Sequence, residues 1–75
     1  MLLIRIDPIR HMDRWYCVTV QPTLLDRWAV VCAWGNRRNS YQRWRCLLAD
    51  NKATAQELAA RIVRLKLQKG YKLVN

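Results

Sequence analysis

The hydrophobic period of this chain changes once, at Asp50-Asn51. Ahead of that point apolar residues alternate singly or run together over short stretches, and beyond it they recur every three and four residues. Side chains alternate across a strand but return to one face of a helix about every 3.6 residues, so the switch separates a set of strands from one helix. The layout this predicts is α+β: a small antiparallel β-sheet of four to five strands with one C-terminal α-helix packed on it.

Taken in order, Leu2 to Ile6 is short, rich in branched residues and closed by Asp7-Pro8, which predicts a first strand at a sheet edge. Ile9 to Asp13 is a polar connection that holds the single histidine, His11, read as a solvated loop residue. Arg14 to Gln21 alternates strong strand formers, with Tyr16, Val18 and Val20 on one face. A turn at Pro22-Thr23 and an apolar pair, Leu24-Leu25, lead to Trp28–Trp34, which is apolar on both sides and therefore central. Trp28, Val30, Cys32 and Trp34 share one face of it, and Ala29, Val31 and Ala33 the other. A fourth strand, Tyr41 to Ala49, places Tyr41, Arg43, Arg45 and Leu47 on one side and Trp44, Cys46 and Leu48 on the other. The first side is expected to be a cationic surface and the second to be core.

Between the last two strands lies a hairpin with a basic tip. Asn36 and Asn39 are read as turn residues because asparagine tolerates positive φ better than other non-glycine types, and Gly35 permits either unusual backbone angles or a close approach that a Cβ would block. Beyond Asp50, either Asn51 caps a helix starting at Lys52, or Thr54 to Glu57 forms a capping box one turn later. Ala55, Leu58, Ala59, Ile62, Leu65 and the stem of Lys66 form the apolar stripe, bordered by Val63. Arg61, Arg64 and Gln68 face away. Lys66 and Lys69 complement the helix dipole, Gly70 is the C-terminal cap, and Tyr71 to Val74 is a brief extended tail.

Seventy-five residues make a single domain, 1–75, burying only about 60% of the surface of the unfolded chain, too little for a deep substrate cleft. The formal net charge is +9, and ten of the fourteen cationic residues are arginine, whose planar fork suits phosphate. An acidic partner follows, with no membrane and no small-molecule substrate expected. Cys17, Cys32 and Cys46 are odd in number and have no Cys-x-x-Cys spacing, which predicts buried free thiols, neither disulfide nor metal site, and a reducing cytoplasm. The apolar start, Met1 to Ile4, is interrupted by Arg5 and Asp7 before it reaches signal-peptide or membrane length. Five scattered carboxylates and one histidine without a nucleophile compose no catalytic set, so neither an enzyme nor a cofactor is expected, and the domain is read as a monomer.

Ile6-Asp7-Pro8, Arg14-Trp15-Tyr16, Val20-Gln21-Pro22-Thr23-Leu24, Trp28, Trp34-Gly35, and Lys66 with Gly70-Tyr71 together resemble the WGR domain, in its bacterial single-domain pattern. This module also precedes the catalytic region of several poly(ADP-ribose) polymerases. The resemblance implies a sheet flanked by a helix and binding of DNA, notably at strand ends or breaks, without catalysis. On the matching segments the candidate nucleic-acid contacts are Arg14, Trp34, Gly35, Asn36, Lys69 and Tyr71. Trp34 either stacks on sugar or base or plugs the end of the sheet, and Tyr71 either approaches a phosphate or closes the core. Arg37, Arg38, Arg43 and Arg45 join them because two sit at the hairpin tip and two project from one face of the next strand. The motif arginine is replaced by Asn36, and Arg37-Arg38 follow where Ile-Gly is usual. Two other readings stand beside DNA binding: a protein-interaction adaptor that kept the fold and lost the DNA site through Asn36, and a general RNA or polyanion binder.

Overall fold

The computed structural model describes residues 1–74. Strands β1 (Leu2–Asp7), β2 (Met12–Pro22), β3 (Trp28–Asn36) and β4 (Gln42–Ala49) precede helix α1 (Lys52–Gln68) and a two-residue β5 (Lys72–Leu73). They form one five-stranded sheet in the order β4-β3-β2-β1-β5, and every pairing is antiparallel. The α+β layout expected from the change of period is the observed one. The β1 strand is not an edge, because the tail after the helix returns to pair Leu3 with Leu73 and Ile4 with Lys72.

The register assigns each side chain to a face. Leu3, Tyr16, Val18, Val30 and Cys32 point to the helix and form the core with Ala49, Ala55, Ile62, Val63 and Tyr71. Trp28 and Trp34 share that face and pack against the core. Within α1 the buried residues are Ala55, Ile62 and Val63, while Leu65 is 50% exposed, so the helix is rotated toward Val63 from the stripe read in the sequence.

The assignment of β4 is reversed relative to its expected core side. Arg45 pairs with Cys32 and Arg43 with Trp34, so the arginines stand on the helix side. Trp44 pairs with Ala33, Cys46 with Val31 and Leu48 with Ala29, on the side that no helix covers. Trp44 is consequently 73% exposed and Leu48 58%. A helix is only about 10 Å across and strands lie about 4.8 Å apart, so a single helix covers roughly two of them. It lies over β2 and β3 and reaches only one end of β4. The cysteines divide likewise: Cys32 is buried, Cys17 half-buried on the open face, and Cys46 exposed there, not a core thiol.

Both helix ends are closed by local chemistry. Asn51 is the N-cap, its side-chain oxygen accepting from Thr54 N at 2.8 Å, which settles the start in favour of Lys52. At the other end Gly70, with φ 98°, donates to the Leu67 carbonyl at 3.1 Å, and Tyr71 N donates to the Lys66 carbonyl at 3.1 Å. This is the paired arrangement that terminates a helix through a left-handed glycine. His11 lies in the turn between β1 and β2 with φ 54°, donating its N–H to the Pro8 carbonyl.

Candidate nucleic-acid interface

Beyond the last turn of α1 the sheet continues uncovered on its helix side, and the step between them forms a groove of about 510 Å³. The strands deliver its floor. Tyr16 and Trp34 are opposite each other in the β2–β3 register, and their rings stack with centroids 5.7 Å apart and planes 11° from parallel. Tyr71 meets Tyr16 edge-on at 6.2 Å. The cap at Gly70 thus has a second consequence, since the backbone reversal that ends the helix turns Tyr71 down into this aromatic cluster.

Cations surround those rings. Arg14, Arg45 and Lys66 line the groove together with Trp15, Gly35, Asn36 and Tyr41. The Lys66 ammonium sits 4.4 Å from the centre of the Tyr16 ring and 5.7 Å from that of Tyr71. Burial lowers its pKa below the usual 10.5, and the nearby charges of Lys69 and Arg45 lower it further. Burial also raises the Tyr16 phenol, and the neighbouring Cys32 thiol adds to the rise, so this ring stays neutral. Next along the sheet, Arg5 is directly opposite Arg14 in the β1–β2 register. Like charges facing across two strands are destabilising by themselves, and an anion placed between them removes that cost.

Gly35 has no positive φ, and its role is steric. A Cβ there would press into the Tyr41 carbonyl oxygen and lie 2.8 Å from Trp15 Nε1. The approach that a side chain would block is therefore present, and it lets the Trp15 indole tuck beneath the mouth of the hairpin. Asn36 ends β3, with its side-chain oxygen accepting from Arg38 N at 2.8 Å, while Asn39 accepts from Tyr41 N at 2.8 Å. Neither asparagine takes the positive φ expected of it; both shape the turn through their side-chain oxygens, and among the described residues the positive-φ positions outside glycine are His11 and Asp26.

The groove brings together Arg14, Trp34, Gly35, Asn36, Arg45 and Tyr71, six of the residues singled out in the sequence. Arg37, Arg38, Arg43 and Lys69 do not line it. The first two are held elsewhere: Arg37 Nη1 is 3.3 Å from Asp13 Oδ1 and Arg38 Nε 3.6 Å from Asp13 Oδ2. Asp13 pairs with Ile6 on the open face, so these contacts draw the tip away from the groove. Arg37 approaches Asp13 Oδ1 off the line of a hydrogen bond, leaving that buried oxygen with an ion-pair neighbour alone. Arg43 lies over the Tyr41 ring at 5.9 Å, and Lys69 is exposed at the helix end. Lys66, Tyr16, Tyr41 and Trp15 are the lining residues that the sequence reading did not place in a site. For Lys66 the signal was its position four residues before Gly70, which fixes it in the turn that faces Tyr71.

This fold and groove define a class: a small sheet-and-helix module with an aromatic floor ringed by cations. The chain belongs to the WGR domain family, whose model matches residues 1–75. That family is a nucleic-acid-binding module found in poly(ADP-ribose) polymerases. Comparison with curated proteins and with solved structures finds no match. No helix among the described residues is long and apolar enough to cross a membrane, and no cluster of potential metal ligands occurs among them.

Proposed function

We propose that this protein binds duplex DNA through the groove at the helix C-terminus, with a preference for ends or breaks. The observation that carries the reading is the convergence of Arg14, Arg45 and Lys66 on a floor of Tyr16, Trp34 and Tyr71. Cations alone would follow a phosphate backbone. Tyr16 and Tyr71 are buried and back the site, and the half-buried Trp34 beside the cations is the ring that suits a nucleotide whose base or sugar face is uncovered, as at a strand terminus. The groove displaces the hairpin tip as the proposed centre of the interface, because Asp13 occupies Arg37 and Arg38. Among the described residues its lining contains no carboxylate, histidine or thiol to move a proton or attack a substrate, which favours a binding role over catalysis.

The test is an anisotropy titration of blunt, nicked and intact duplexes and of single-stranded RNA over a range of salt. Three to four phosphates neutralised give a slope of log affinity on log salt of roughly −3 to −4. Charge reversal at Arg14 and Arg45 together lowers affinity and flattens that slope, whereas reversal at Arg61 and Arg64 on the exposed face of the helix does much less. Equal loss from both double variants refutes the groove. Equal affinity for all four nucleic acids refutes the preference for ends and supports the general polyanion reading.

A further inference from the structure

The two edges of the sheet are unlike. On one side β5 offers only two residues, while on the other β4 offers eight, Gln42–Ala49, with no strand beyond it among the described residues. Five consecutive residues of β4, Gln42 to Cys46, are exposed, and so is Leu48. The strand contains neither proline nor glycine, so nothing in its backbone interrupts a continuous row of outward N–H and C=O groups. From Arg43 to Cys46 its side chains alternate in character, Arg43 and Arg45 on the helix side and Trp44 and Cys46 on the open side. Leu48 continues the open side, and the apolar Leu47 follows the arginines on the other.

The geometry points to β4 as a docking edge for an extended peptide in which acidic and apolar residues alternate. Paired in the sheet, such a strand sets its acidic residues opposite Arg43 and Arg45, with Cβ atoms about 4.5–5.5 Å apart, so that carboxylate and guanidinium can meet. Its apolar residues then cover Trp44 and Leu48 and extend the apolar part of the open face that Ala29, Val31 and Ala33 begin. Main-chain hydrogen bonds supply the affinity in strand addition and the alternating side chains supply the choice of partner. A second copy of the chain is a poor occupant. With the open faces on one side, antiparallel β4–β4 pairing sets the arginines of one copy beside those of the other, and each copy carries a net charge of +9. The same arginines that exclude self-association select the acidic strand. Because Arg45 also lines the groove, a bound strand competes with nucleic acid for it.

The probe is a synthetic peptide alternating glutamate and valine over the eight residues of β4, titrated without nucleic acid and followed by amide exchange. The expected result is saturable binding that slows exchange in β4 and leaves β5 unchanged. Two control peptides keep the composition: one with its glutamates in a single block, and one N-methylated throughout. Each is expected to bind about tenfold more weakly or worse. In the double variant Arg43→Glu with Arg45→Glu, preference passes to a peptide alternating lysine and valine. Absence of binding, or equal binding of the block or N-methylated peptide, overturns the proposal. Block-peptide binding that protects the groove instead of β4 leaves a polyanion site there and no docking edge, so the two sites fail separately.

Discussion

Gly35 and Lys66 show how much single residues decide at this site. The strand geometry at Gly35 is ordinary, yet the room for a side chain is already filled by the Tyr41 carbonyl and the Trp15 indole. Gly35→Ala is expected to cost about 2 kcal/mol through overpacking, lowering the melting temperature of a domain this small by roughly 10 °C. A wild-type melting curve would show that the hairpin mouth relaxes freely. Lys66 is charged against its surroundings, since burial and neighbouring cations weaken its hold on the proton. In the free protein it therefore deprotonates below 10.5, and stability rises with pH over that interval because the unfolded chain keeps its proton longer. A phosphate in the groove favours the charged form and restores the pKa, so binding takes up a proton there, and affinity falls as pH climbs through the depressed pKa toward 10.5. Lys66→Met is expected to weaken DNA binding at neutral pH while removing this alkaline dependence. Retention of the full pH profile in that variant would assign it to another group.

Helix α1 acts at the next scale as a ruler laid across the sheet. It starts at Lys52, whose ammonium lies 5.4 Å from the centre of the Trp28 ring, and ends with Lys66 above Tyr16. The groove exists because the sheet outruns the helix, and Gly70 fixes where the helix stops. An alanine at φ 98° is strained, and its Cβ would also lie 3.3 Å from Arg5 Nε. Gly70→Ala is expected to destabilise by about 1 kcal/mol. It should weaken DNA binding by more than this loss of stability explains, because the cap also aims Tyr71. An NMR comparison of the Tyr71 and Tyr16 ring resonances checks the second effect independently of melting.

The whole molecule is two-sided, with a charged aromatic groove on the helix face and an apolar, uncovered face opposite. The three thiols report on this arrangement without any ligand. Cys46 is expected to react first with a thiol reagent, Cys17 more slowly, and Cys32 only on unfolding, since it is fully buried beneath the helix. Rapid labelling of all three would mean that the helix does not cover the sheet in solution.

Local rules sufficed wherever a residue's environment is made by its chain neighbours. The change of period at Asp50, the turn chemistry of Asn36 and Asn39, and the left-handed glycine that ends the helix depend on backbone angles and hydrogen bonds within a few residues. The central position of Trp28–Trp34 followed from the same short-range pattern, because side chains of flanking strands hide small apolar residues even on a face that no helix covers, as at Ala29. Alternation within β4 was equally legible, but not which of its faces is core: period two divides a strand into two sides and is silent about where the helix lies. Register with β3 puts Arg43 and Arg45 on the helix side, and they stay exposed there because one helix is too narrow for the whole sheet, a fact of widths that no stretch of β4 contains. The site was divided in the same way. Of the residues lining the proposed groove, Arg14, Trp34 and Tyr71 were named from the sequence, whereas the ion pairs of Arg37 and Arg38 with Asp13 and the place of Lys66 over Tyr16 follow only from segments distant in the chain coming together. Charge and period are properties of the sequence, but which charges share one groove is decided by packing.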